Sequence, residues 1–468
     1  MNLKIAIIGA GPAGLTAGYL LSKKIKNIDV FESSNSIGGL SKSIKLWNQT
    51  VDIGPHRYFS SDKRINDIWL EVVGDDYQMV NRLTRIYYKK KYYNYPLKPL
   101  NALKNLGIFQ AFLCVLSYLY IKIFPLKENK SFQDWVTNKF GKRLFTIFFK
   151  TYSEKLWGIS CHDLDSDFAA QRIKKLSLFE AIKNAFNNKK NTHKSLIDQF
   201  AYPNKGTGFV YEQMAKKLQE NQGNIFLNKV VKKVLVKNDK AYAMAFDNGE
   251  VREYDHIIST MPLTNLVKNL PNVPKQILNA TEKLKFRNTI IVYLNIDSEN
   301  LFPDNWLYIH SNDLLMGRIT NFRNWVPNLY GDEKTSICAI EYWCYKEDDF
   351  WQYDDNTLIE IAKDEIKKTK LVGNATILNG HVHRISNCYP VYNKGYKENL
   401  NPIIDYLNTI TGLYPIGRYG SFKYNNQDHS ILMGLLVSEN ILNNKNYNLW
   451  DVNTDYDEYQ EEHLITQE

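Results

Sequence analysis

Residues 3–8 (LKIAII) form an unbroken apolar run, and the turn Gly9-Ala10-Gly11-Pro12-Ala13-Gly14 follows it directly. A short apolar run ended by glycines reads as a buried strand, and the next stretch, LTAGYLLSKK, has apolar residues at helical spacing. A second strand, IDVFE, ends in Glu32. Strand, glycine turn, helix and strand in this order leave few options. Gly9 permits the tight turn, Gly11 lets the backbone approach a pyrophosphate, and Gly14 lets helix and strand pack closely, so a dinucleotide-binding unit is expected. The helix N-terminus then offers unpaired N–H groups and a positive dipole end to the phosphates. Glu32 is placed to accept hydrogen bonds from the adenosine ribose.

A second glycine pair narrows the choice of dinucleotide. Gly38, Gly39 and Leu40 precede Ser41, giving the pattern E-x5-GG-x-S from Glu32 onward. That pattern resembles the flavoprotein group that includes amine oxidases, protoporphyrinogen oxidases and pyranose mutases. The resemblance implies FAD held non-covalently, with NAD(P)H at most a visiting reductant.

At 468 residues the chain has room for two or three domains around a sizeable core. With 44% hydrophobic and 23% charged residues it reads as a globular enzyme, neither fibrous nor disordered. The net charge of +9 suits an anionic partner. The basic residues are scattered and no nucleic-acid motif is present, so a phosphate-bearing small molecule is expected and nucleic acid is not. Cys114, Cys161, Cys338, Cys344 and Cys388 are odd in number and lack CxxC spacing; they read as reduced thiols, with no metal site. The first strand begins at residue 3, which leaves no room for a signal peptide, and a cytoplasmic location is expected. Residues 108–124 (IFQAFLCVLSYLYIKIF) are apolar but short for a membrane span; a buried or groove-lining helix is expected there, in preference to membrane contact.

The fold class read from these signals is α/β: a Rossmann-like FAD-binding domain with an inserted helical domain and a substrate-side antiparallel sheet. The expected division is 1–99 (FAD-binding, first part), 100–200 (helical), 201–265 (FAD-binding, second part), 266–405 (substrate sheet), 406–445 (FAD-binding, C-terminal part) and 446–468 (tail). Ile65, Ile68, Trp69 and Val72 share one face of a helix, and residues 82–99 alternate like a hairpin.

Further motifs carry a closer resemblance. GPHRYFSSDKRINDIW, YNYPL, YPNKGTG, NWLY, GRITNFRNW, CYP and GRYGSFKYNNQDHS are similar, in order, to the UDP-galactopyranose mutase family, most of all its eukaryotic-type branch. That family interconverts pyranose and furanose forms of a UDP-sugar with no net redox change. The resemblance implies that reduced FAD attacks the anomeric carbon through N5 while UDP leaves. Arg318 and Arg418 stand at the family's diphosphate-binding arginines; a planar guanidinium suits that task because it bonds two oxygens at once. Tyr308, Tyr389, Tyr424 and Asn426 match diphosphate and sugar contacts, Trp306 a sugar-side tryptophan and Tyr95 a uridine contact. His56 in GPHR matches a histidine beside the flavin ring. Val231 falls beside adenine, Gln427 and Ser430 at flavin contacts, and Gly417 at the turn before them. The implied partner is a nucleotide-diphosphate sugar, with self-association left open.

Lys98 stands where the eukaryotic-type mutases have a uridine-contacting glutamine, which leaves the base and the sugar open. An alternative from the same group is an FAD oxidase or dehydrogenase of the amine oxidase/protoporphyrinogen oxidase type. Two arginines and several tyrosines at diphosphate positions weigh against it, because an apolar pocket has no reason to bury them.

Overall fold

The computed structural model describes residues 3–95, 97, 99–168 and 199–453. Lys98, the Asn- and Lys-rich stretch 187–194 and the end of the tail therefore lie outside the described residues.

A five-stranded parallel sheet forms the cofactor half, in the order Leu413–Pro415, His256–Ser259, Lys4–Ile8, Asn27–Phe31, Asn224–Phe226. Its central strand has four buried apolar residues after an exposed Lys4, as a strand covered on both faces requires. Helices Pro12–Ser22, Gly208–Glu220 and Gln427–Asn443 pack together on it. Gly434 sets that contact: a Cβ there would lie 2.8 Å from the Ala13 carbonyl oxygen. A small antiparallel sheet, Val231–Lys237, Lys240–Phe246 and Val251–Glu253, lies beside it.

The second large sheet runs Ile377–Pro390, Phe286–Ile296, Ser336–Cys344, Arg318–Asn321, Trp306–Ile309, Thr84–Tyr88, Lys91–Asn94. It is antiparallel except where Trp306–Ile309 pairs in parallel with Thr84–Tyr88. The period-two alternation of strands places side chains on opposite faces. Ile290, Val292 and Leu294 accordingly meet Leu358, Ala362 and Ile366 of helix Asp355–Lys368, while Ile291 and Tyr293 face the core shared with the cofactor half. The hairpin Thr84–Tyr88/Lys91–Asn94 thus extends the substrate-side sheet, fastened by the Arg85 fork on Asp304 at 2.8 and 2.6 Å.

Helices Pro99–Leu106, Ile108–Ile123, Phe132–Phe140, Lys142–Phe145 and Thr151–Trp157 follow the hairpin. Here one expectation is overturned. Helix Ile108–Ile123 is neither buried nor lining a groove: it buries only Ala111, Cys114 and Ile121, and Ile108, Phe109 and Ile123 are 88%, 72% and 69% exposed. A helix apolar all round normally reads as buried, and the sequence carries no sign of which face stays uncovered. No described helix is long and apolar enough to cross a membrane. All five cysteines are free and buried, and no metal-binding cluster occurs among the described residues.

Candidate active site

The two sheets enclose a cavity of about 730 Å³ running from the glycine turn to the aromatic end of the substrate-side sheet. At the first end, three backbone approaches explain the glycines. Gly9 has φ +97°, and a Cβ on it would lie 2.1 Å from Thr260 Oγ1. Gly14 stands behind the wall, where a Cβ would meet the Gly9 carbonyl oxygen at 2.1 Å. Gly39, at φ +54°, comes so close to the turn that a Cβ would be 2.9 Å from Gly11 Cα. Gly38 N–H donates to the Ala10 carbonyl at 2.8 Å, so the two glycine motifs form one backbone cradle. A diphosphate fits such a surface, lined by main chain at a helix N-terminus, and side chains at these positions would fill it. Glu32 Oε2 accepts the Ala10 N–H at 2.9 Å and Oε1 accepts Ser34 N–H at 2.9 Å, which fixes the carboxylate on the cavity wall. Val231, Lys229, Lys232 and Lys268 line the same end.

Midway, Leu40, His56, Gly417, Gln427 and Ser430 line the wall. The His56 loop is held from behind by Asp52, which sequence reading did not single out. Asp52 is fully buried and accepts from Ser43 Oγ at 2.5 Å, Tyr202 Oη at 2.7 Å and Thr207 N at 3.1 Å. Thr207 Oγ1 in turn donates to the His56 carbonyl at 2.8 Å. Burial outweighs these three hydrogen bonds and pushes the Asp52 carboxyl up to about 6. His56 is lowered to about 3, first by burial and then by the fields of Arg318 and Arg418, so its ring is neutral near pH 7. On the other side Gly417 has φ +81° and a Cβ there would sit 3.0 Å from Ala13 Cβ, which seats the turn on the first helix. Asn426 caps helix Gln427–Asn443, and its N–H donates to His429 Nδ1 at 3.2 Å. Tyr211 Oη donates to Gln427 Oε1 at 2.7 Å, presenting the amide nitrogen to the His56 loop.

The far end is cationic and aromatic. Arg318 and Tyr308 are register partners on adjacent strands, and Trp306 lies two residues before Tyr308. Arg318 donates Nε and Nη2 to the two oxygens of Glu341 at 2.6 and 2.5 Å, and Glu341 sits directly opposite it on the next strand. That carboxylate holds the guanidinium well above its ordinary pKa. Glu341 was missed because it lies 23 residues along the chain from its partner and only strand register brings them together. Arg418 has no carboxylate partner among the described residues. Its Nε and Nη1 donate to the Cys388 and Asn425 carbonyls, both at 2.9 Å, and its Cζ lies 4.3 and 4.7 Å from the Tyr424 and Tyr389 ring centres. Those two rings stack at 5.4 Å. Tyr392, also unsingled by sequence, accepts the Tyr424 N–H at 2.7 Å and fixes the turn. Of the expected contacts Tyr95 stays at the rim, 40% exposed, touching the site through an edge contact with Tyr308 at 5.3 Å.

The family model for flavin-containing amine oxidoreductases matches residues 12–392. The chain belongs to that family, and FAD is its cofactor. Among solved structures, reduced UDP-galactopyranose mutase has a TM-score of 0.83 at 22% identity, over 97% of this chain and 98% of that one. A putative protoporphyrinogen oxidase from Exiguobacterium sp. 255-15 follows at 0.73 and 15% identity, over 95% of this chain and 100% of that one. At these identities the likeness concerns the fold. Curated sequence relatives match over much less. Coproporphyrinogen III oxidase of Staphylococcus aureus (strain NCTC 8325 / PS 47) is 33% identical over 101 residues, 20% of this chain and 22% of that protein. A 4,4'-diapophytoene desaturase of Methylomonas sp is 43% identical over 51 residues, 11% of this chain and 10% of that protein. The chain therefore spans about a fifth or less of the length of these curated relatives.

Proposed function

We propose that the protein is a flavin-dependent nucleotide-sugar mutase, interconverting pyranose and furanose forms of a UDP-galactose-like substrate. The observation that carries this reading is Arg418: an enclosed guanidinium lining the cavity, with no carboxylate partner among the described residues. A part-buried cation without a counter-charge is costly unless an anion arrives to meet it. An oxidase acting on an apolar substrate has no use for such a group.

FAD, in its reduced form, supplies the nucleophile for the anomeric carbon. The chain's own residues do the rest. Gly9, Gly11 and Gly39 leave main chain free to meet the cofactor diphosphate, and Glu32 is placed for the ribose hydroxyls. Arg418 and the free edge of Arg318 hold the substrate diphosphate and stabilise the charge it gains on leaving. Tyr389 and Tyr424 give flat apolar area beside Arg418, with Tyr308 and Trp306 on the strand paired with that of Arg318. His56 carries no positive charge at working pH, and its buried Nδ1 has no hydrogen-bond partner among the described residues, so it offers the cofactor an uncharged polar wall. The N-terminus of helix Gln427–Asn443 brings its positive end to the cavity wall, where it would favour negative charge on a bound cofactor.

The test is anaerobic. Holoenzyme, reduced with dithionite or NAD(P)H or left oxidised, is mixed with a panel of UDP- and dTDP-sugars and the products separated by chromatography and mass spectrometry. Isomerisation at constant mass, seen only with reduced flavin, is expected. Rapid oxygen consumption with a porphyrinogen or amine, and no isomerisation, would overturn the reading in favour of an oxidase, the activity named for one of the sequence relatives.

A further inference from the structure

The outward face of helix Ile108–Ile123 has no role in the cavity. Ile108, Phe112, Val115, Leu116, Leu119 and Ile123 recur at helical spacing and are all exposed, and Phe124 and Leu126 continue the strip beyond the helix end. Contiguous exposure of this size marks a contact surface. The inner side of the helix is firmly seated: a Cβ on Gly141 would lie 2.8 Å from Tyr118 N, and Arg143 N–H donates to Ser117 Oγ at 3.2 Å. The helix is thus held by Ala111, Cys114 and Ile121 on its inner side, with most of its large side chains turned out. Its surroundings are basic. Residues 99–150 contain eight Lys and Arg and two acidic residues. Arg143 borders the face through Gln110 at 3.2 Å, and Lys122 rests on the Tyr118 ring at 5.4 Å.

We infer that this face seats the enzyme on an anionic lipid surface, the helix lying in the plane of the interface. At 16 residues it is about 24 Å long, too short and too amphipathic in setting to span a bilayer. An apolar strip with lysine and arginine at its borders suits the boundary between acyl chains and acidic headgroups. A second copy of the chain meets the strip less well, because face-to-face pairing would bring two basic rims together. The attachment concerns where the enzyme works, independent of which flavin chemistry it performs.

The experiment is flotation of the FAD-loaded full chain with vesicles of phosphatidylcholine alone or mixed with phosphatidylglycerol, at low and high salt. It is run beside the double variant Phe112→Glu/Leu116→Glu and paired with sedimentation velocity in the absence of lipid. Both positions are exposed, and an unchanged flavin spectrum and melting temperature in the variant confirm its fold. Flotation is expected with phosphatidylglycerol and weaker without it, reduced by salt and lowered at least about tenfold in the variant. Absence of flotation with either vesicle, or equal flotation of the variant, overturns the inference. A lipid-free dimer that the two substitutions dissociate, with no flotation, assigns the face to a second copy instead.

Discussion

Arg318 and Arg418 reach the same cavity by opposite means, and the difference predicts how each responds to substitution. Arg318 is locked to a carboxylate whose side chain is 2% exposed, so Glu341→Gln strips a buried cation of its counter-charge. A loss of about 3–5 kcal/mol in urea-denaturation stability is expected. Arg418 is bonded to carbonyls alone among the described residues, and on the proposed mutase reading Arg418→Ala removes a contact to the substrate diphosphate worth about 1.5–3 kcal/mol. Steady-state kinetics with the nucleotide sugar should then show kcat/KM lowered by about 10- to 150-fold with FAD occupancy unchanged. Asp52 makes a pH prediction. Its carboxyl is raised from 3.8 to about 6, so between those values the folded protein holds a proton that the unfolded chain has lost. Its contribution to stability therefore falls as pH rises from about 4 to 6. The wild-type minus Asp52→Asn difference in unfolding free energy should drop by up to about 3 kcal/mol across that window and be flat above it. Sequence reading found the arginines through their motifs, whereas Glu341 and Tyr392 are defined only by register and by a turn. Asp52 lay four residues before His56 and could have been read as its anchor.

The glycine cradle is legible because its pattern is local: turn, helix and second strand are contiguous, although in that turn only Gly14 answers a clash within a few residues, while Gly9 is crowded by the distant Thr260. Gly14→Ala places a methyl group against the Gly9 carbonyl at 2.1 Å, so strand and helix must separate. Overpacking of about 1–3 kcal/mol is expected, together with loss of bound flavin, read as the absorbance ratio of flavin to protein after purification. Helix Ile108–Ile123 is the opposite case. Its composition says apolar, but which side faces the core depends on Gly141 and Arg143, elements some twenty or more residues later. The helix itself was readable; its surroundings were not.

At the scale of the molecule, the α/β architecture followed from alternation and glycine punctuation, while the pairing of Trp306–Ile309 with the early hairpin did not. That parallel pairing joins segments more than two hundred residues apart, and nothing in either strand names the other. Because the cavity borrows from both sheets, cofactor and fold support each other. Adding FAD at about 100 times its dissociation constant should raise unfolding free energy by roughly 2.7 kcal/mol, visible as a concentration-dependent melting temperature of the apoprotein.

The strand order of the parallel sheet has a consequence for how the protein is made. Lys4–Ile8 and Asn27–Phe31 leave the ribosome about four hundred residues before the edge strand Leu413–Pro415 and the helix Gln427–Asn443 that close their cradle. At about 5–20 residues per second, the nascent glycine turn waits on the order of tens of seconds before its last walls arrive. Flavin is thus enclosed only after these later segments emerge, and until then the seam between helix Pro12–Ser22 and helix Gln427–Asn443 stands open.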